Sequence, residues 1–108
     1  MSQNPTVPQF PRVAVSVRGN QIRLTAERWV HIVEQHEELA GLLDEVLMTV
    51  AEPEAVFAGG LAECMAVREY DTAIWLVAVY NDRADGFVVT AFLTSRRAYF
   101  ERRIRLWP

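Results

Sequence analysis

Two histidines, His31 and His36, are the imidazoles of the chain and its first candidates for moving a proton near neutral pH. They lie five residues apart, about 140° around a helix at ~100° per residue. A continuous helix therefore cannot bring both onto one metal ion, and the H-E-x-x-H zinc pattern needs a spacing of four. His31 falls beside Glu27, Arg28, Glu34 and Gln35; His36 falls on the apolar stripe of Trp29, Ile32 and Val33. Hydroxyls and guanidinium groups gather elsewhere. Thr90 sits inside an apolar run, and Thr94, Ser95, Arg96 and Arg97 follow at its end, where functional groups often stand. Arg68 and Tyr70, at the end of an earlier run, offer a phosphate donor and a hydroxyl.

Other chemistries find no footing. The single cysteine, Cys64, excludes a disulfide framework and a cysteine-based zinc site, and no neighbouring base activates it. There is no glycine-rich phosphate loop, dinucleotide fingerprint or nucleophile elbow. The acids at 34, 37, 38, 44, 45 and 52 read as solvated helix faces. No metal and no cofactor is expected.

Charge is distributed unevenly. Residues 1–25 hold three arginines and no acid; residues 26–71 hold eleven acids against Arg28 and Arg68; residues 94–108 hold five arginines against Glu101. An acidic middle thus lies between two basic ends, and every cation is arginine, which binds phosphate in a bidentate way that lysine cannot. With a net charge of −3, nucleic acid would be held locally rather than by bulk charge. Trp107 stands among these arginines as a base-stacking residue would.

These groups must be positioned by one domain. With 108 residues and 51% apolar content, the chain can bury a core. Residues 1–11, with Pro5, Pro8 and Pro11, read as a flexible arm, leaving 12–108 as a single domain with a basic tail. Val13, Val15 and Val17 alternate with Ala14, Ser16 and Arg18; Gly19-Asn20 turns, and Ile22 and Leu24 resume, which predicts a β-hairpin. Thr25 caps a helix over roughly 26–36. A second helix carries Leu39, Leu42, Leu43, Val46, Leu47 and Val50 and stops at Pro53, with a break or kink at residues 36–38. Short strands follow at Ala55 to Ala58 and Leu61 to Arg68, then two buried ones at Ala73 to Tyr80 and Phe87 to Leu93. The tail fits a last helix or an edge strand. The expected fold is α+β: an N-terminal hairpin and two helices packed on an antiparallel sheet of about four strands. The longest apolar run, Ala73 to Tyr80, is too short to cross a bilayer, and the start shows no signal-peptide pattern, so a cytoplasmic protein without membrane association is expected.

The order of motifs is informative. Arg28-Trp29-Val30-His31-Ile32 precedes His36-Glu37-Glu38-Leu39; a leucine-rich helix, Pro53-Glu54-Ala55-Val56, two apolar strands and Thr90-Ala91-Phe92 follow. Over about residues 22–94 this resembles small bacterial and phage proteins of the barnase–EndoU–colicin–RelE-like nuclease group. Glu37 stands where that pattern has proline. The resemblance implies a metal-independent ribonuclease, toxin-like in some settings, that cleaves RNA through the ribose 2′-OH. It matches His31, His36, Arg28 and Thr90 to the motif positions. In that mechanism the two imidazoles exchange protons, Arg28 and Arg68 stabilise the phosphate, and Thr90 or Thr94 orients it, with Tyr70, Arg96 and Arg97 on the RNA.

The competing expectation is a non-enzymatic interaction domain that forms a homodimer or meets a cognate protein, as one half of a toxin–antitoxin or phage system. Its histidines would be structural, and the basic tail with Tyr99, Phe100 and Trp107 would dock a protein or RNA.

Overall fold

The computed structural model describes residues 9–108. The arm expected over 1–11 lies, as far as residue 8, outside the described residues; beyond it, Phe10 packs against the core.

The chain is α+β. An antiparallel hairpin, β1 (Arg12–Val15) and β2 (Gln21–Leu24), leads into α1 (Ala26–Gln35) and α2 (Leu43–Ala51). Strands β3 (Ala55–Ala58), β4 (Cys64–Asp71), β5 (Ile74–Tyr80) and β6 (Val88–Thr94) then form a meander. The tail does both things its pattern allowed. It makes a short helix, α3 (Ala98–Glu101), and then an edge strand, β7 (Arg105–Trp107), antiparallel to β3 with Trp107 opposite Val56. The sheet therefore has five strands rather than about four, in the order β6-β5-β4-β3-β7.

Alternation along the central strands explains the two cores. Leu76, Ala78 and Tyr80 of β5, with Val56, Cys64 and Ala66, meet the hairpin, Ile32 of α1 and the inner face of α2. Val77 and Val79, with Phe57, Met65 and Val67, form a second core on the other face, joined by Phe100 of α3.

Local chemistry sets the breaks. The Thr25 hydroxyl accepts from the Arg28 amide at 3.2 Å and starts α1. The helix ends at His36, whose backbone turns out of the helical region. A 3₁₀ turn (Glu37–Leu39) follows, and Gly41 adopts φ +82°, which an α-helix cannot contain. The second helix consequently begins at Leu43, not Leu39. Leu61 and Ala62 likewise take positive φ in the turn after β3, so β4 begins at Cys64 rather than Leu61.

The hairpin turns the less apolar of its two faces inward. Ala14 and Ser16 are buried, whereas Val13 and Val15 are about half exposed. The reason is polar. The Ser16 hydroxyl donates to Asp82 Oδ1 at 2.7 Å, and Asn20 Nδ2 donates to the same oxygen at 2.9 Å. This clamp fastens the hairpin turn to the β5–β6 loop. Beside it, the Arg23 amide donates to the Gly86 carbonyl at 3.0 Å. The fit is close: a Cβ on Gly86 would collide with the Asn81 carbonyl oxygen and come within 2.9 Å of Ile22 Cδ1. Gly86→Ala is expected to destabilise the fold by about 3 kcal/mol in urea unfolding; an unchanged midpoint would show that the loop has room.

Two ionisable groups lie near this junction. Burial first, and the Asp82 carboxylate second, push the Cys64 thiol above its ordinary range. Tyr80 is fully buried, and its hydroxyl has no hydrogen-bond partner among the described residues. Burial, then Cys64 and Asp82, push it up as well. A raised folded-state value favours folding below the ordinary one and is lost above it, here above about pH 10 for tyrosine. Tyr80→Phe should therefore be at least as stable as the parent at pH 7 and lose less stability between about pH 10 and 11. Parallel pH profiles for the two proteins would contradict this.

Candidate functional site

Helix α1 runs along the outer edge of β6, the strand that ends the sheet. An edge strand presents unpaired backbone groups, and here α1 supplies a partner. Arg28 Nη1 donates to the Val89 carbonyl at 3.4 Å, and its guanidinium lies 6.0 Å from the centre of the Phe87 ring. Val89 is the residue skipped where the β5–β6 register shifts, between the pairs Val79–Thr90 and Tyr80–Val88. Such bulges re-aim neighbouring side chains.

Beyond the bulge, Ala91 faces the helix-side core, while Thr90, Phe92 and Thr94 face the other side with Val79, Val77 and Trp75. Thr90 is half-buried, and its hydroxyl has no hydrogen-bond partner among the described residues. His36, also half-buried, sets its ring 5.9 Å from that of Phe92, with Nδ1 3.7 Å from Glu38 Oε2. Phe92 in turn meets Tyr99 edge-on at 5.1 Å. Arg28, Thr90 and His36 are thus gathered along Val89–Phe92, about 10 Å of strand. His31 is exposed one turn beyond Arg28, with Nε2 3.3 Å from Gln35 Nε2. The two imidazoles flank Arg28 and Ile32 on α1 rather than facing each other.

The remaining candidates divide into two groups. Thr94 accepts from the Arg96 amide at 3.1 Å and shapes the turn after β6. Arg97 stacks on Trp75 at 5.3 Å and pairs with Glu101 at 2.6 Å. All three lie near the Thr90 face. Arg68 and Tyr70 do not join them. They line a cleft of about 370 Å³ between α2 and the sheet, in company with Asp44, Glu45 and Glu69. Arg68 there donates to the Glu52 carbonyl at 2.7 Å and ties β4 to the end of α2. Arg68 and Tyr70 thus lie apart from the Thr90 face, among three carboxylates that work against phosphate there.

Sequence reasoning gave no site role to Arg103 and Arg105, and it did not foresee the contact of Phe92 with Tyr99 that joins β6 to α3. For the arginines a signal existed: Arg103-Ile104-Arg105-Leu106 alternates as a strand does. Among the described residues, no three His, Cys, Asp or Glu side chains converge to hold a metal ion. No helix is long and apolar enough to cross a membrane among the described residues. The chain matches no family model, no curated protein and no solved structure.

Arg28 makes one long, part-buried hydrogen bond. Arg28→Ala is therefore expected to lower stability by no more than about 1 kcal/mol, read by urea unfolding. A much larger loss would make Arg28 a structural tie rather than a group free to serve a substrate.

Proposed function

We propose that the protein is a metal-independent ribonuclease whose centre lies along the β6 edge. The observation that carries this reading is that Arg28 reaches the Val89 carbonyl, Thr90 follows the bulge there and His36 packs on Phe92, with His31 one turn beyond Arg28 on α1. These are the four positions that the nuclease-like motif order singles out. One imidazole takes the proton from a ribose 2′-OH, and the freed oxygen attacks the adjacent phosphorus. The bond from phosphorus to the 5′ oxygen breaks, and the other imidazole protonates that leaving oxygen. The products are a 2′,3′-cyclic phosphate and a 5′-hydroxyl. The Arg28 guanidinium stabilises the charge that gathers on the phosphorane oxygens, and the unpartnered Thr90 hydroxyl orients the phosphate. His36, held against Phe92, is the more fixed of the two imidazoles.

General acid–base catalysis is worth ~10²–10⁴ in rate for each group. The test is incubation of the purified protein with RNA in EDTA, beside the His31→Ala, His36→Ala double variant. Wild type should leave cyclic phosphate ends and the double variant none that are measurable. Equal cleavage by both proteins, or no cleavage of free or ribosome-bound RNA by wild type, overturns the reading.

One feature favours the interaction reading instead. Among the described residues no strand pairs with the outer edge of β7, and Leu106 and Trp107 on it and Ile104 just before it are exposed, at 43, 38 and 74%. Sedimentation decides this point. A salt-independent dimer, abolished by Ile104→Asp, would support an interaction module.

A further inference from the structure

On the Thr90 face of the sheet, α3 and β7 wall a groove of about 380 Å³. We propose that this groove holds a single-stranded RNA segment that runs on across the sheet toward the β6 edge, with phosphates on Arg103 and Arg105. The identity of the strand rests on the ribonuclease reading; the groove itself rests on the following geometry.

Three arginines around the groove are stacked on aromatic rings: Arg97 on Trp75 at 5.3 Å, Arg105 on Phe57 at 5.8 Å and Arg103 on Tyr99 at 5.9 Å. A guanidinium laid on a ring keeps its N–H groups directed outward in its own plane, pre-set for a phosphate. Arg97 has spent its Nε on Glu101. The side chains of Arg103 and Arg105 have no hydrogen-bond or ion-pair partner among the described residues. Of the two acids lining the groove, Glu101 is neutralised by Arg97, and Glu54 Oε2 accepts from the Glu69 amide at 2.7 Å. The Glu54 carboxylate keeps its charge, so the three arginines and two acids of the lining leave the groove at +1 on a protein whose net charge is −3.

Its position fits a strand that also reaches the cleavage edge. Tyr99 touches Phe92, which touches His36, so an aromatic path leads from the groove to the centre. From β6 to β3 is about 14 Å at the ~4.8 Å strand spacing, room for a few nucleotides. Arginine interleaved with flat rings is the composition that holds single-stranded nucleic acid, where bases stack and phosphates pair. Phe57 is buried, but Tyr99 is about half exposed and Trp75 half-buried, and an acidic peptide would use the arginines and leave those two rings idle.

The test uses a fluorescent 2′-O-methyl RNA, which lacks the attacking hydroxyl and so binds without being cut. Anisotropy is read against salt for wild type, Arg103→Gln/Arg105→Gln, Arg103→Lys/Arg105→Lys and, as control, Arg12→Gln. Arg12 pairs with Asp44 away from the groove. The glutamine pair should bind about tenfold more weakly, and its salt slope should fall by ~1.4, at ~0.7 for each phosphate contact. The lysine pair should restore the slope, and the control should match wild type. The β7 pairing is backbone-made, as in the 2.8 Å bond from the Ala58 amide to the Ile104 carbonyl, and circular dichroism checks that it persists. Equal binding by the glutamine pair and wild type overturns the inference, as does equal competition by polyglutamate, which would point to an acidic protein. Cleavage of ordinary RNA is measured in parallel. Histidine-dependent cutting with arginine-independent binding sinks the groove alone; arginine-dependent binding without cutting sinks the ribonuclease reading alone.

Discussion

The central constraint is that β4 and β5 are apolar on both faces. Leu76, Val77, Ala78, Val79 and Tyr80 are consecutive and all buried. A sheet of this kind cannot leave either side to water, because each face carries enough hydrocarbon to need a cover. The hairpin and α2 answer for one side. On the other, the chain returns after β6 to bring Phe100 onto Phe57 and Trp75. The short helix α3 has too few residues to be stable alone; it exists because Phe100 has somewhere to go.

The same constraint places the candidate centre. With both faces committed, the accessible parts of the sheet are its edges and the margins of its covers. Helix α1 lies along the β6 edge and satisfies a backbone carbonyl with Arg28. The bulge at Val89 sits at the same point. Along Val89–Phe92 follow the carbonyl that Arg28 reaches, the Thr90 hydroxyl, unpartnered among the described residues, and the ring on which His36 packs. The contrast with Arg68 is instructive. It is one of two arginines in the acidic middle of the chain, and the fold uses it to hold α2 to β4.

Much of this was legible in the residues. The Gly19-Asn20 turn, the Thr25 cap, the interruption after His36 and the long runs of β5 and β6 all appear as local chemistry. What failed to show depends on distant partners. The valines of β1 look like its core face, yet Asp82, sixty-six residues from Ser16, decides the matter. Leu39 and Leu42 keep helical spacing because a 3₁₀ turn still points Leu39 at the core; only the φ of Gly41 reveals the break. The tail looked like a helix or a strand because it contains both in succession. For the site, the motif order named Arg28, His36 and Thr90 as candidates, and the fold sets all three near one stretch of β6. Periodicity carries no record that Phe92 would link His36 to Tyr99, since that contact joins three separate elements.

The pairing of β7 with β3 also bears on how the chain comes to be folded. Strands β3 to β6 are sequential neighbours, so the meander closes through short loops and can form early. β7 joins Trp107 to Val56 across some fifty residues. On the ribosome, where earlier segments emerge first, the meander is complete while Phe57, Val77 and Val79 still await Phe100. In that order of synthesis one sheet face is uncovered for an interval, because the arginine-rich segment that closes it is made after the whole meander. The charge of that segment, five arginines against Glu101 over residues 94–108, favours its hydration until Phe100 finds its place over an apolar surface.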